Sequence, residues 1–380
     1  MARRQEQESA RSEITEIAPN VVRMELPISL PGLGHVNCYA LIDGQGATVV
    51  DPGLPTPRSF AALKDRLAQA DLKVKNIHTV VITHSHGDHF GGTGRIVRES
   101  GAKVVAHRAF SLGSSRDTTP EVSVCDLHAH QDDAETSAHV HPERPELYGP
   151  NGSPALIPVD ERRPMPVAAP KFGGPTPWGA TPPRPPLRWR LRMQMNRLLG
   201  KALRFPDISL PVEAGDRLRL AGREWFIVHT PGHTNDHICL HCPEEGLFLA
   251  GDHVLPSITP HISGLSREED PLEAFFQSLD RAAAIPHVDQ ALPAHGHPFA
   301  DLAARCAAIK EHHQRRLGEI CDIGRDIGPS SVEAFSEKLF RKRSWGSMAQ
   351  SETYAHLEHL RRRGEAEAHR SKSGQLIFET

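Results

Sequence analysis

Four short histidine- and aspartate-rich segments each follow a run of β-forming apolar residues, and no other feature constrains the fold of this chain so tightly. Thr79-Val80-Val81-Ile82-Thr83 runs into His84-Ser85-His86-Gly87-Asp88-His89. Further along come Thr230-Pro231-Gly232-His233-Thr234, Ala250-Gly251-Asp252-His253 and Pro293-Ala294-His295-Gly296-His297, each just past a strand-like run. A divalent cation needs several neutral imidazoles or carboxylates within about 2.0–2.2 Å of one point, so such clusters at the ends of buried strands point to metal chemistry. His84 and His86, two apart in a loop, can turn toward one ion. Asp88 and His89, opening the next helix, can turn toward a second, and Gly87 lets the backbone bend between them. A chance scatter of surface histidines is the bland alternative in a chain with 24 of them, and His128, His130, His139 and His141 have that look.

The rest of the pattern frames these segments. Val21–Met24, Asn37–Ile42 and Ala47–Asp51 read as successive strands, Pro57–Ala70 as a helix from the spacing of Phe60, Leu63, Leu67 and Ala70, and Thr79–Thr83 as a fully buried strand. Gly94–Ser100 suits a helix and Lys103–Ala106 a strand. Regularity then breaks: 16 of the 32 prolines lie between Pro142 and Pro211, a density that forbids long helices and central strands. We read 108–211 as an insertion, a lid or arm over the core. Ten Lys or Arg lie between Glu161 and Arg204 against the single acid Glu161, and Leu187–Leu203 could form an amphipathic helix bearing Leu191, Met195 and Leu198. Short strands resume at Arg217–Leu220, Trp225–Val228, Ile238–Leu240 and Leu247–Ala250. Pro271–Ala284 reads as a helix, Val288–Leu292 as a strand and Asp301–Ile327 as a long helix. The tail reads helix (Ser331–Phe340), helix (Ser351–Arg363), then hairpin (Glu365–Thr380, around Lys372-Ser373-Gly374), the order of a winged helix.

Composition excludes little. Apolar residues at 38%, or about 46% with glycine, suit a globular chain, and a net charge of −3 nominates neither nucleic acid nor membrane. The first residues carry two arginines with no apolar run behind them, so they do not read as a secretory signal, and no run is long enough for a membrane span. Six scattered cysteines then suggest reduced thiols and a cytoplasmic location. Cys239-Leu240-His241-Cys242 has no second Cys-x-x-C to complete a zinc site, and its alternation reads as a strand.

Taken together, His84, His86, Asp88, His89, His233, Asp252 and His295 resemble the metal set of the metallo-β-lactamase-fold hydrolases, and within them of the hydroxyacylglutathione hydrolases and their relatives. The likeness covers roughly 13–110 and 212–325, and Val49-Val50-Asp51-Pro52-Gly53 matches the early strand and turn of that family. It implies a four-layer αββα fold over 1–325, carrying the 108–211 insertion and followed by a winged-helix domain at 326–380. It implies two divalent ions, zinc first and iron or manganese as alternatives: His84, His86 and His233 on one, Asp88, His89 and His295 on the other, Asp252 bridging. A hydroxide between the metals would attack a polarised carbonyl, with Asp88 as a ligand that could also relay a proton to the leaving group. His253 and His297 read as supporting residues rather than ligands. True β-lactamases of this fold commonly place a cysteine among the second-metal ligands. Here the bridging position falls on Asp252, which favours thioesters or other activated esters over antibiotics.

The expected substrate is therefore a small acyl compound on an anionic carrier, a coenzyme A or glutathione thioester, clamped by the arginine-rich insertion. The alternatives are a lactonase, a mononuclear iron persulfide dioxygenase, a non-enzymatic binder on the winged helix, or a ribonuclease. In the last, Arg361-Arg362-Arg363 would meet phosphate, although such a run at a helix end is usually solvated.

Overall fold

The computed structural model describes residues 4–110, 176–180, 191 and 205–380. Two mixed sheets form its centre. In the first, β1 (Thr15–Ala18), β2 (Val21–Leu30), β3 (Leu33–Asp43), β4 (Gly46–Val50), β5 (Ile77–Val81), β6 (Lys103–His107) and β7 (Leu210–Val212) lie side by side in chain order. The pairing is antiparallel through β4 and parallel from β4 to β7. The second sheet has the order β12 (Gln290–Pro293), β11 (Leu247–Gly251), β10 (Ile238–Cys242), β9 (Arg223–His229), β8 (Arg217–Leu220). Only β11 and β12 pair parallel there.

The period of two along each strand distributes the apolar side chains over three cores. Tyr39, Leu41, Val81 and Val105 meet Trp225, Ile227, Leu240, Leu249 and Leu292 between the sheets. Their neighbours Cys38, Ala40, Val80 and Val104 face outward, onto Phe60, Leu63 and Leu67 of α1 (Pro57–Gln69) and Ile96 of α3 (Thr93–Ser100). On the other side Val228, Cys239, Phe248 and Ala250 pack on Phe275, Phe276 and Leu279 of α4 (Pro271–Ala283) and on Leu302, Cys306 and Ile309 of α5 (Leu302–Ile327). Helix, sheet, sheet, helix is the four-layer αββα arrangement. The helices start where capping chemistry allows: Thr56 Oγ1 accepts from Ser59 N–H at 3.1 Å, with Pro57 at the first turn of α1. Asp270 caps α4 in the same way. Cys239 and Cys242 fall in different cores because they are an odd number of residues apart on β10, so they cannot chelate together.

A fourth cluster joins the C-terminal elements. Ile320 of α5 packs with Val332 and Phe335 of α6 (Val332–Leu339), Leu357 and Leu360 of α7 (Ser347–Arg362), and Phe378 of β15 (Leu376–Glu379). The last strand lies between β13 (Ser330–Ser331) and β14 (Glu367–Arg370). Trp178, from within the proline-rich segment, belongs to this cluster and is 4% exposed. Its carbonyl accepts from Leu376 N–H at 3.1 Å, and Pro177 O takes Arg370 Nη2–H at 3.2 Å. Nearly all of the expected 108–211 insertion, including all ten Lys and Arg counted between Glu161 and Arg204 and, apart from Leu191, the expected helix Leu187–Leu203, lies outside the described residues. Among the described residues, Cys38, Cys239, Cys242, Cys306 and Cys321 are free thiols, and no helix is long and apolar enough to cross a membrane.

Two buried histidines join α5 to α7. His356 Nδ1–H donates to Glu352 O at 2.7 Å, which leaves its Nε2 to accept from His313 Nδ1–H at 3.0 Å. Burial, then the His356 charge, holds His313 down to about 2, and burial holds His356 down to about 4. The unfolded chain binds protons on both below its ordinary value near 6.5 while the folded chain does not, so stability falls as pH drops from 6.5 toward 4. The expected slope is about 1.4 kcal/mol per pH unit per histidine, checked by urea unfolding across that range, with His356→Gln flattening it. Trp178→Ala should cost about 3–5 kcal/mol through the cavity it leaves, read from the shift of the denaturant midpoint.

Candidate metal centre

The chelating segments all leave strands at one edge of the two sheets. β5 ends at Val81, and three residues later His84 begins the loop that ends in the single-turn helix α2 (Gly87–Phe90), with His86 at its N-cap. β9 delivers the 230–237 loop, β11 delivers Asp252, and β12 delivers His295. Gly251, at φ 53°, is required here: a Cβ on it would lie 2.6 Å from His237 Nε2.

All seven sequence-predicted residues meet, in two groups. His84, His86, His233 and Asp252 place one ligand atom each within 4.8 Å of one another, as do Asp88, His89 and His295. In the first group His86 Nδ1 lies 3.0 Å from His84 Nε2 and 3.1 Å from His233 Nε2. In the second, His89 Nε2 and His295 Nε2 lie 3.7 and 3.6 Å from Asp88 Oδ2. Asp252 stands between them. Its Oδ2 is 3.8 Å from His84 Nε2, 3.6 Å from His233 Nε2 and 3.4 Å from His89 Nε2, and its Oδ1 is 3.4 Å from His295 Nε2. His86 is the one exposed member of the set.

The back of each buried ring decides which nitrogen carries the proton. His233 Nδ1 faces the carbonyl of His261 at 2.7 Å and His295 Nδ1 faces that of His35 at 2.6 Å, so both must donate there. His89 Nδ1 donates to Asp51 Oδ2 at 2.9 Å. Thr83 Oγ1 gives its own proton to Asp51 Oδ2 at 2.7 Å and therefore accepts from His84 Nδ1 at 3.0 Å. All four Nε2 lone pairs then point inward, and this passes a direct test for a bound cation. His86 Nδ1 can carry one proton at most, so it cannot satisfy both His84 Nε2 and His233 Nε2, and a lone-pair clash remains without a cation. His89 Nε2, His295 Nε2 and Asp252 Oδ1 are buried with no hydrogen-bond partner. A divalent ion satisfies these atoms with the neutral imidazoles and carboxylates that suit it.

Electrostatics split the cluster. Burial, then the neighbouring His89 charge, holds His84 well below the ordinary histidine range, and burial lowers His233. Burial also opposes charge on His89 and His295, but Asp252 and Asp88 outweigh it and raise both, while His295 and His89 hold Asp252 well below the usual carboxylate range against its own burial.

His253 and His297 stay out of both groups. His253 is buried with its ring edge-on to Phe275, and His297 Nε2 sits 3.1 Å from Glu8 Oε2. The supporting residues were the harder ones to anticipate. Asp51, just past β4, takes Thr83 N–H at 2.9 Å as well as the Thr83 and His89 protons. His237 accepts Asp252 N–H at 3.0 Å on Nε2 and donates through Nδ1 to Thr230 Oγ1 at 2.7 Å, which aims the Asp252 backbone. From the N-terminal turn, Gln5 Oε1 accepts His297 N–H at 2.8 Å, and Glu6 Oε1 accepts Ser257 N–H at 2.7 Å. Only Asp51 lay in a stretch with a recognisable signal, the Val49–Gly53 strand and turn.

Seven His and Asp side chains that could hold divalent metal gather at the strand ends of an αββα sandwich, the arrangement of a metallo-β-lactamase-type fold. A match to the Metallo-beta-lactamase superfamily runs over residues 31–117 and 127–298, and the chain belongs to that superfamily. It is 33% identical over 143 residues to a hydroxyacylglutathione hydrolase of Cereibacter sphaeroides, a match covering 36% of this chain and 53% of that protein. The chain thus spans about half the length of that curated relative. A probable metallo-hydrolase of Bacillus subtilis, YqjP, is 24% identical over 357 residues, covering 90% of this chain and 92% of that protein. A metallo-beta-lactamase family protein of Thermus thermophilus has the same fold at a TM-score of 0.65 and 24% identity, over 96% of this chain and 99% of that one. A beta-lactamase domain protein from Burkholderia ambifaria aligns at 0.68 and 20% identity, over 98% and 96%.

Asp51→Asn keeps the shape but puts an amide where two proton-accepting oxygens serve Thr83 and His89. Metal retention should fall by about 10–100-fold, measured by competition with a chromophoric chelator.

Proposed function

We propose that the chain is a dinuclear metallo-hydrolase that cleaves a thioester or other activated acyl bond on an anionic carrier such as coenzyme A or glutathione. The observation that carries this reading is Asp252, which stands between the two histidine groups: its Oδ2 lies 3.8 and 3.6 Å from His84 and His233 Nε2 and 3.4 Å from His89 Nε2, and its Oδ1 lies 3.4 Å from His295 Nε2. No cysteine takes part in either group. The likeness to a hydroxyacylglutathione hydrolase supports a thioester, and the hydrolase class follows from the superfamily. His84, His86, His233 and Asp252 would hold one divalent ion, zinc in the first instance, while Asp88, His89, His295 and Asp252 would hold a second. Bound there, such ions would supply Lewis acidity, lowering the pKa of a water toward neutrality and polarising a carbonyl. The outer hydrogen bonds of His84, His89, His233 and His295 turn each Nε2 inward, Asp252 faces both groups, and Asp88 Oδ2 stands where it could hold a proton for the leaving group. Thiolate departure needs less proton assistance than alkoxide departure, which suits a centre whose one candidate acid is also a ligand.

The C-terminal helices and three-stranded sheet support reading 326–380 as a winged-helix domain appended to a catalytic domain of 1–325. We give nuclease activity second place on an observation at its expected phosphate site. Arg361 and Arg362 are engaged by Glu358, Arg362 also by Glu269, and Arg363 by Glu365. A cytoplasmic location and the carrier clamp in 108–211 stand as proposals with it.

Wild-type protein loaded with zinc, iron or manganese should turn over members of a panel of acyl-coenzyme A and acyl-glutathione thioesters in preference to lactones and single-stranded RNA. Chelation should abolish turnover and metal addition restore it, and Asp252→Ala should lose at least about a hundredfold in kcat/KM. Turnover of RNA alone, or one iron per chain with oxygen uptake on a persulfide, would replace this reading.

A further inference from the structure

The loop after Asp252 carries the carbonyl that orients His233, and that loop is fastened to the C-terminal helix α7. His261 O accepts His233 Nδ1–H at 2.7 Å. The side chain of the same residue donates through Nδ1 to Glu352 Oε2 at 3.2 Å. Two residues on, Ser263 Oγ and Ser351 Oγ lie 3.2 Å apart, and Gly264 N–H reaches Ser351 O at 3.1 Å and Ser351 Oγ at 3.0 Å. Gly264 is packed so closely against α7 that a Cβ there would lie 2.5 Å from the Tyr354 ring. Ile262, between these tethers, is fully buried in the core that also takes Ala355 of α7.

We propose that Glu352 is a positioning residue of the metal centre, acting through His261 to fix the orientation of His233, so that the C-terminal helix completes a site otherwise built from the αββα sandwich. The proposal rests on the dinuclear reading above. A hydrogen bond from a ligand histidine to a backbone carbonyl orients the ring only as well as that peptide plane is itself held. The plane of His261 sits in a loop outside both sheets, and its own ring is its tether. Releasing that ring from Glu352 removes the side-chain tether of the loop residue whose carbonyl backs His233. Glu352 is suited to hold it: Arg316 Nη1–H reaches its other oxygen, Oε1, at 3.4 Å. Although burial opposes ionisation, the His261 hydrogen bond and the His356 and Arg316 charges hold the carboxyl down to about 2. The carboxylate therefore remains an acceptor across the working pH range. The competing account is an ion pair that only glues α7 to the sandwich. It predicts lost stability and an unchanged affinity for metal.

The test uses the full chain, titrated with zinc against a chromophoric chelator, with thermal unfolding of the metal-free protein alongside. Glu352→Ala and His261→Ala should each weaken zinc retention about tenfold. Glu352→Gln, which keeps an acceptor, should lie near wild type, and the double alanine variant should be no worse than either single one. Phe335→Ala, buried in the C-terminal cluster away from the loop, should lower Tm without weakening zinc binding. Should Glu352→Ala not fold, His261→Ala and Glu352→Gln make the same comparison. Glu352→Ala and His261→Ala proteins that lower Tm but bind zinc as wild type does, or alanine effects that simply add, would overturn the relay while leaving the metal centre intact. A wild-type chain that retains no divalent metal would overturn both.

Discussion

The structure depends on hydrogen bonds made behind the histidines rather than on contacts among them. Each of His84, His89, His233 and His295 gives its outer proton to a fixed acceptor, and only then can its inner nitrogen remain a bare donor to metal. Leaving such nitrogens and the Asp252 oxygen unpaired inside a protein is expensive, of the order of 1–3 kcal/mol for each buried group. The sandwich tolerates this because its apolar cores are large and lie on both sides of the strands that deliver the ligands. Asp51 is the hub: one carboxylate accepts from the Thr83 backbone and hydroxyl and from His89, tying the end of β4 to the loop after β5.

The candidate ligands could be picked out in the sequence because chelation demands particular residue types, and strand ends are marked by apolar runs. Both signals are local, and all seven residues meet. The layers were expected from the resemblance those motifs carry; which of Cys38–Leu41 faces which core is visible only in the structure, because all four are apolar enough for either side. The outer acceptors were not legible. Two of them, at His35 and His261, are backbone carbonyls, which every residue possesses. His237 resembles any other histidine until the fold brings its Nε2 to the Asp252 N–H, and Gln5 and Glu6 sit in a terminus whose composition marks nothing. Strand bounds moved too: Val21–Met24 is the start of the longer Val21–Leu30, because its hairpin partner Leu33–Asp43 extends the ladder beyond the apolar run.

The C-terminal elements are less separate than their pattern suggests. Helix α5 contributes Leu302, Cys306 and Ile309 to the sandwich core and Ile320 to the C-terminal cluster. A boundary drawn at its end therefore falls after a shared helix. His359 Nδ1 meets Asp270, the residue that caps α4, at 3.0 Å. Trp178 adds a third strand of connection from the proline-rich segment. Sequence periodicity identifies elements and is silent about a helix that serves two cores, because both of its halves show the same amphipathic spacing.

The opposed shifts within the cluster explain why it is poised for cations. Burial favours neutral rings everywhere, which is what His84 and His233 show, while the carboxylates of Asp252 and Asp88 pull protons onto His89 and His295. A protonated Nε2 cannot coordinate, so metal and proton compete for these two nitrogens in particular. Divalent charge beside Asp252 cancels the field that raises them, returning all four rings to the neutral state that their outer hydrogen bonds already prescribe. The same carboxylate that disfavours the empty, fully deprotonated centre is thus the one that stands between the two histidine groups, and a bound cation would remove the conflict its geometry creates.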